Sequence, residues 1–237
     1  MSGNTRQEES NQVVLLSGGL DSAVNLAMAV DQGGVLLTLT FDYGQHAAIR
    51  EIEAARALAS HYGVPHRVIA LSWMKEIPAG ALVDDRKTPP QVGEAALSDR
   101  EATGQSARAV WVPNRNGIFL NVGAAFAEAA GGGTVVAGFN REEAATFPDN
   151  SEAFLERANE ALAYSTLQKV RAYSYTGEMD KKEILEEAIG QGVPLQMVWS
   201  CYLGGDKMCG RCESCQRFKR AARGTAAEER ASGLFQK

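Results

Sequence analysis

No run in the 237 residues approaches the ~18 apolar positions of a membrane-spanning helix, so none is expected. Positive charge is not in surplus. The 24 Lys and Arg against 29 Asp and Glu leave a net charge of −5, which argues against naked nucleic acid or an anionic membrane as the main partner. Histidine occurs three times, and no Ser-His-Asp or Cys-His nucleophile set is evident. Only four cysteines occur, all within residues 201–215, so no disulfide framework runs through the chain. Met1 to Gln12 is polar and mixed in charge, without the apolar core of a signal peptide. A flexible arm over residues 1–11 and a cytoplasmic protein are therefore expected. Internal repeats, low-complexity tracts and a glutaminase domain are all missing from the pattern. The remaining composition, 45% apolar and 22% charged, suits one soluble α/β domain with a small appendage.

What is present centres on residues 13–28, VVLLSGGLDSAVNLAM. Val13 to Leu16 are apolar without a break, as in a strand buried on both faces of a parallel sheet. Leu20, Val24, Ala27 and Met28 follow at helical spacing. The turn between them is Ser17, Gly18, Gly19, Leu20, Asp21 and Ser22. Such a turn aims backbone N–H groups and the positive end of a helix dipole at one spot. Glycine lets the backbone come close to a ligand, and the Ser17 and Ser22 hydroxyls can donate to anionic oxygens. Leu16 to Ser22 form the candidate phosphate cradle. Asp21 repels phosphate, but it can cap the helix or hold a Mg²⁺ that bridges to the phosphates. There is no G-x-x-x-x-G-K-[ST], no lysine between Ser17 and Met28, and no G-x-G-x-x-G. Instead S-G-G-L-D-S resembles the PP-loop of the ATP pyrophosphatase superfamily. That resemblance implies ATP cleavage between the α- and β-phosphates and adenylation of a substrate oxygen.

Further strands are predicted over Val35–Phe41, His66–Leu71, Thr134–Phe139 and Val170–Tyr175, with helices over 47–62, 117–130, 151–164 and 180–190. The alternation predicts a doubly wound parallel α/β sheet of about five strands, with ligands beyond the carboxyl ends of its strands. Residues 72–112 hold Pro78, Pro89 and Pro90 and only weak periodicity, and read as a lid, a binding loop, an interface or a surface insertion. Domain bounds of 12–199 for the ATP-binding unit and 200–237 for a C-terminal knuckle and tail follow.

Cys201, Cys209, Cys212 and Cys215 carry two overlapping C-x-x-C pairs, with Gly204, Gly205 and Gly210 supplying bends. Four thiolates at this spacing suit tetrahedral Zn²⁺, and an iron–sulfur cluster uses the same ligands.

V-L-L-S-G-G-L-D-S, F-D-Y-G-Q, V-P-x-R-N, G-V-P-L, W-S-C-Y and C-G-R-C-x-S-C stand in that order from Val14 to Cys215. Together they resemble the 7-cyano-7-deazaguanine synthase (QueC) family. The resemblance implies conversion of 7-carboxy-7-deazaguanine, ammonia and ATP into the nitrile, with Zn²⁺ on the four cysteines and ATP on Ser17 to Ser22. It implies small-molecule partners, no direct nucleic acid and a homodimer. Tyr43, Gln45, Arg115, Asn140, Phe147 and Asp149 are the candidate substrate residues, and Ser17, Asp21 and Ser22 the candidate catalytic ones. Asp149 matches the family's aspartate after the fourth strand, and its carboxylate can accept from the N1–H and 2-amino group of a deazaguanine. It is also a candidate cap for the helix that Ser151 begins. Thr146-Phe147-Pro148-Asp149-Asn150 departs from the family's G-Y-P-D-C, so a ligase joining the same acid to another amine is the alternative. A tRNA thiolase is a further one. His46 lies near the expected site and is a candidate for a direct role there.

Overall fold

The computed structural model describes residues 11–236, so most of the expected arm lies outside the described residues. Strands β1 (Gln12–Leu15), β2 (Val35–Asp42), β3 (His66–Ala70), β4 (Thr134–Val136) and β5 (Arg171–Tyr173) form one sheet. Every pairing is parallel, in the order β3-β2-β1-β4-β5. The longer helices are α1 (Leu20–Gln32), α2 (Ala48–His61), α3 (Arg100–Val110), α4 (Arg115–Ala129), α6 (Glu152–Ser165), α7 (Lys181–Gly190) and α8 (Glu213–Ala222), with short α5 (Arg141–Ala144) and α9 (Glu228–Ser232). Among the described residues no helix is long and apolar enough to cross a membrane.

The unbroken apolar run of β1 has a simple cause. Val13 and Val14 point to opposite faces of the pleat, and both are fully buried. Val14 packs with α1, α2, α7 and the cysteine segment, whereas Val13 packs with α4 and Leu162. The cysteine knuckle therefore shares one apolar core with the phosphate-loop helix.

Two expectations change. Residues 72–112 are not a bare loop, because they contain α3, whose N-terminus Asp99 caps by accepting from the N–H groups of Glu101 and Ala102. Met74, Leu82, Val110 and Val112 sink this stretch into the core. Strand β4 stops at Val136, short of the expected Phe139. Beyond it the chain runs tightly past α1, since a Cβ on Gly138 would stand 2.8 Å from the Ser22 nitrogen.

The strand order reverses between β1 and β4: the chain runs outward from β1 through β2 to β3, then returns to the other side of β1 for β4 and β5. Sheets of this kind open a crevice at that point, beyond the strand carboxyl ends. Leu16 and Ser17 leave β1 there, and Ala137, Gly138 and Phe139 leave β4 there.

Candidate active site

Ser17, Gly19, Leu20, Asp21 and Ser22 line the crevice, with Leu16 at its floor. The Ser17 and Ser22 hydroxyl oxygens lie 3.1 Å apart, and the Gly19 N–H points at Ser17 Oγ at 3.3 Å. Ser200 Oγ accepts from the Leu20 N–H at 3.2 Å, tying the knuckle segment to the loop. Gly18 does not line the crevice. Its φ is +80°, and a Cβ there would meet Ala54 of α2 at 2.8 Å, so glycine lets the turn seat on α2. Gly19 is the N-cap residue of α1, with no side-chain cap, so Asp21 is free of that role.

Asp21 is instead held by a lysine from far along the chain. Lys181 Nζ donates to Asp21 Oδ2 at 2.6 Å and to Glu143 Oε1 at 2.8 Å. The Asn140 amide adds a bond to Asp21 Oδ2 at 3.2 Å, and its own carbonyl caps α5 through the Glu143 N–H. Asn140 thus positions Asp21 and does not reach the crevice wall. Burial pushes the Asp21 carboxyl up to about 6, with Lys181 opposing and Glu143 and Glu142 reinforcing the rise. Burial works against the Lys181 ammonium, yet Asp21 and Glu143 hold its pKa above the usual range. Asp21 Oδ1 is buried with no protein partner. Lys181 escaped sequence reasoning because it lies 160 residues from Asp21. One signal was readable: a lysine opening a helix opposes the dipole and needs carboxylates nearby.

The opposite wall carries Tyr43, Arg115, Phe119, Phe147 and Asp149. The Arg115 guanidinium lies over the Tyr43 and Phe119 rings at 5.9 and 6.0 Å and donates to the Tyr43 hydroxyl at 3.4 Å. Phe147 stacks with Trp111. Ser151 caps α6 by accepting from the Phe154 N–H, so Asp149 does not cap that helix. Asp149 Oδ1 is buried and unpartnered. Burial raises the Asp149 carboxyl and Arg115 draws it back. Gln45 is spent on its neighbours and does not itself line the crevice: it accepts from the Tyr43 N–H and donates to Phe41 O and Glu51. Glu51 does line the crevice, and burial lifts its carboxyl to about 7 against the pull of Gln45 and Arg115. Glu51 did not stand out in the sequence, and the lining residues Trp199, Ser200 and Tyr202 did so only as part of the W-S-C-Y motif, with no place in the site assigned to them. His46 faces Asp85 at 3.5 Å, outside the crevice lining.

Close by, the four cysteine sulfurs lie within 4.8 Å of one another, and all four residues are buried. Backbone N–H groups of Leu203 and Cys209 point at Cys201 Sγ, and those of Arg211 and Cys212 at Cys209 Sγ, all at 3.3–3.4 Å. Hydrogen bonds from Cys212 and Cys215 favour the Cys201 thiolate, and the contact with Cys201 in turn holds the Cys212 and Cys215 thiols protonated. Four thiols this close cannot all ionise alone, so the cluster could hold a metal cation. A tetrahedral ion with metal–sulfur bonds of about 2.3 Å needs sulfurs about 3.8 Å apart, and Cys209 and Cys215 stand at 3.9 Å.

Among curated proteins, the chain is 57% identical over 211 residues to the 7-cyano-7-deazaguanine synthase of Pelotomaculum thermopropionicum, covering 89% of this chain and 96% of that one. It is 54% identical over 213 residues to the synthase of Desulforudis audaxviator, with the same coverage. The synthase of Desulforamulus reducens is 53% identical over 213 residues, covering 89% of this chain and 92% of that one. The family described as "Queuosine biosynthesis protein QueC" matches residues 11–225. With its phosphate loop, its cysteine cluster and this match over most of its length, the chain belongs to the QueC family.

Proposed function

We propose that the chain is an ATP-dependent 7-cyano-7-deazaguanine synthase, using 7-carboxy-7-deazaguanine and ammonia. A carboxylate will not exchange oxygen for nitrogen unaided. Transfer of AMP to the acid makes that oxygen a leaving group, and ammonia displaces it to give the amide. A second AMP transfer, to the amide oxygen, allows elimination to the nitrile. The observation that carries the substrate reading is the buried, unpartnered Asp149 Oδ1 opposite the phosphate loop. A flat bicycle with adjacent N1–H and 2-amino donors would satisfy it, beside the Phe147 ring. Arg115 stands ready for the substrate carboxylate or the α-phosphate.

ATP would lie along Leu16 to Ser22, where the α1 N-terminus and both hydroxyls stabilise charge as it develops on pyrophosphate. Mg²⁺, when bound, would neutralise phosphate charge, and the free Asp21 Oδ1 is its candidate ligand. Lys181 keeps that carboxylate aimed. Zn²⁺ fits Cys201, Cys209, Cys212 and Cys215 as a structural ion with every position filled. The test is ATP–pyrophosphate exchange. Exchange should require 7-carboxy-7-deazaguanine and proceed without ammonia. Exchange indifferent to that acid would remove the substrate assignment.

A further inference from the structure

Glu51 is a carboxylate on the crevice wall to which the proposed chemistry gives no task. One of its oxygens accepts from Gln45 Nε2 at 2.7 Å. Gln45 is itself buried and locked by Tyr43 N–H at 3.0 Å and Phe41 O at 3.0 Å, so the carboxylate plane is fixed. The other Glu51 oxygen has no hydrogen-bond partner among the described residues. The Glu51 backbone packs on Gly18, which sets the side chain beside the phosphate loop. Arg115 and Tyr43 act on it electrostatically from the opposite wall, and Asp42 and Cys201 from the flanks. Glu51 therefore stands between the cradle for the phosphates and the wall assigned to the bicycle. An adenylated carboxyl group must span that interval.

Ammonia in neutral water is nearly all ammonium, which has no lone pair to attack with. An anionic oxygen at the reaction centre attracts that cation and can take its proton. Resting on the proposed function, we infer that Glu51 binds ammonium through its free oxygen and accepts one proton, releasing ammonia beside the activated carbonyl. The proton converts the Glu51 carboxylate to the acid. The ammonia lone pair then forms the C–N bond, and the C–O bond to AMP breaks with its electrons on the phosphate oxygen. That oxygen takes the second nitrogen proton, leaving a neutral amide and AMP. Glu51 returns its proton to water as the site opens. Its carboxyl, held up to about 7 by burial, is matched to such a transfer near neutral pH.

The test compares wild-type chain and Glu51→Gln in three assays: acid-dependent ATP–pyrophosphate exchange, amide and nitrile formation from ammonium, and hydroxamate formation from hydroxylamine. Hydroxylamine is already unprotonated at neutral pH. The variant should keep exchange, lose about 10²–10⁴-fold of ammonium-dependent turnover, and keep hydroxamate formation. Glu51→Asp, which retains a carboxylate, should recover part of the ammonium rate. Equal loss with both nucleophiles, no loss with either, or loss of exchange in the variant would overturn the inference. Absence of acid-dependent exchange in the wild-type chain would instead remove the substrate reading, and this inference with it.

Discussion

Asp149 is the residue whose substitution reads most directly on substrate choice. Asp149→Asn keeps the shape and turns one acceptor into a donor facing two donors. The KM for 7-carboxy-7-deazaguanine should rise by the equivalent of about 2–5 kcal/mol, with ATP affinity unchanged. Steady-state kinetics at varied acid and varied ATP measure both. An unchanged KM with a lower Tm would return Asp149 to a purely structural role. Glu51 gives a pH signature. Its carboxyl is lifted from 4.5 to about 7, so between those values the folded chain binds more protons than the unfolded one. Stability must then fall as pH rises through that window. The cost should approach about 3 kcal/mol at pH 8 and stay under about 1 kcal/mol at pH 5. Glu51→Gln removes the ionisation, so urea titrations should show the variant stabilised over wild type at pH 8 and by much less at pH 5. A gap independent of pH would contradict that environment for Glu51.

Among the elements, the knuckle shows how cysteine spacing becomes a wall of the active site. If the cluster holds Zn²⁺ as proposed, Cys212→Ser should lose the metal and fold poorly, because metal binding would then be part of the folding free energy. Elemental analysis of the wild-type chain should find close to one zinc, and iron or no metal would contradict the assignment. Helix α8 also carries Arg217, which pairs with buried Glu213 at 2.6 Å and with Glu142 of α5. Arg217→Met would leave the buried Glu213 without its cation and should cost about 3–5 kcal/mol in chemical denaturation. Glu142 keeps Arg220, so a change under about 1 kcal/mol would contradict the dependence of Glu213 on Arg217. The strands, α1, α7 with its Asp180–Glu183 capping box, and the cysteine cluster were all legible in sequence. Helix α3 was not, because its buried face is Thr103, Ser106, Ala107 and Val110, small or polar residues that give a weak apolar period. Gln45 and Asn140 were placed near the site by their loops, yet their side chains turn inward to hold Glu51 and Asp21. Sequence position sets where a loop lies, not which way an amide faces.

For the whole molecule, the reversal of strand order at β1 and β4 brings distant parts of the chain to one crevice. The phosphate loop comes from β1, Arg115 from α4, Asp149 from the turn before α6, Lys181 from α7 and Ser200 from the knuckle. No local pattern contains that assembly. Lys181 and Glu51 became visible only once the sheet had set their neighbours. If the crevice acts as proposed, each oxygen of the substrate carboxylate leaves on a separate AMP. The decisive measurement is mass spectrometry after turnover of 7-carboxy-7-deazaguanine labelled with ¹⁸O in both carboxylate oxygens, with ATP and ammonia. The expected result is the nitrile, pyrophosphate, and AMP carrying one ¹⁸O for each oxygen removed. ADP as the nucleotide product, or unlabelled AMP beside the nitrile, would contradict adenylation of the acid and of the amide.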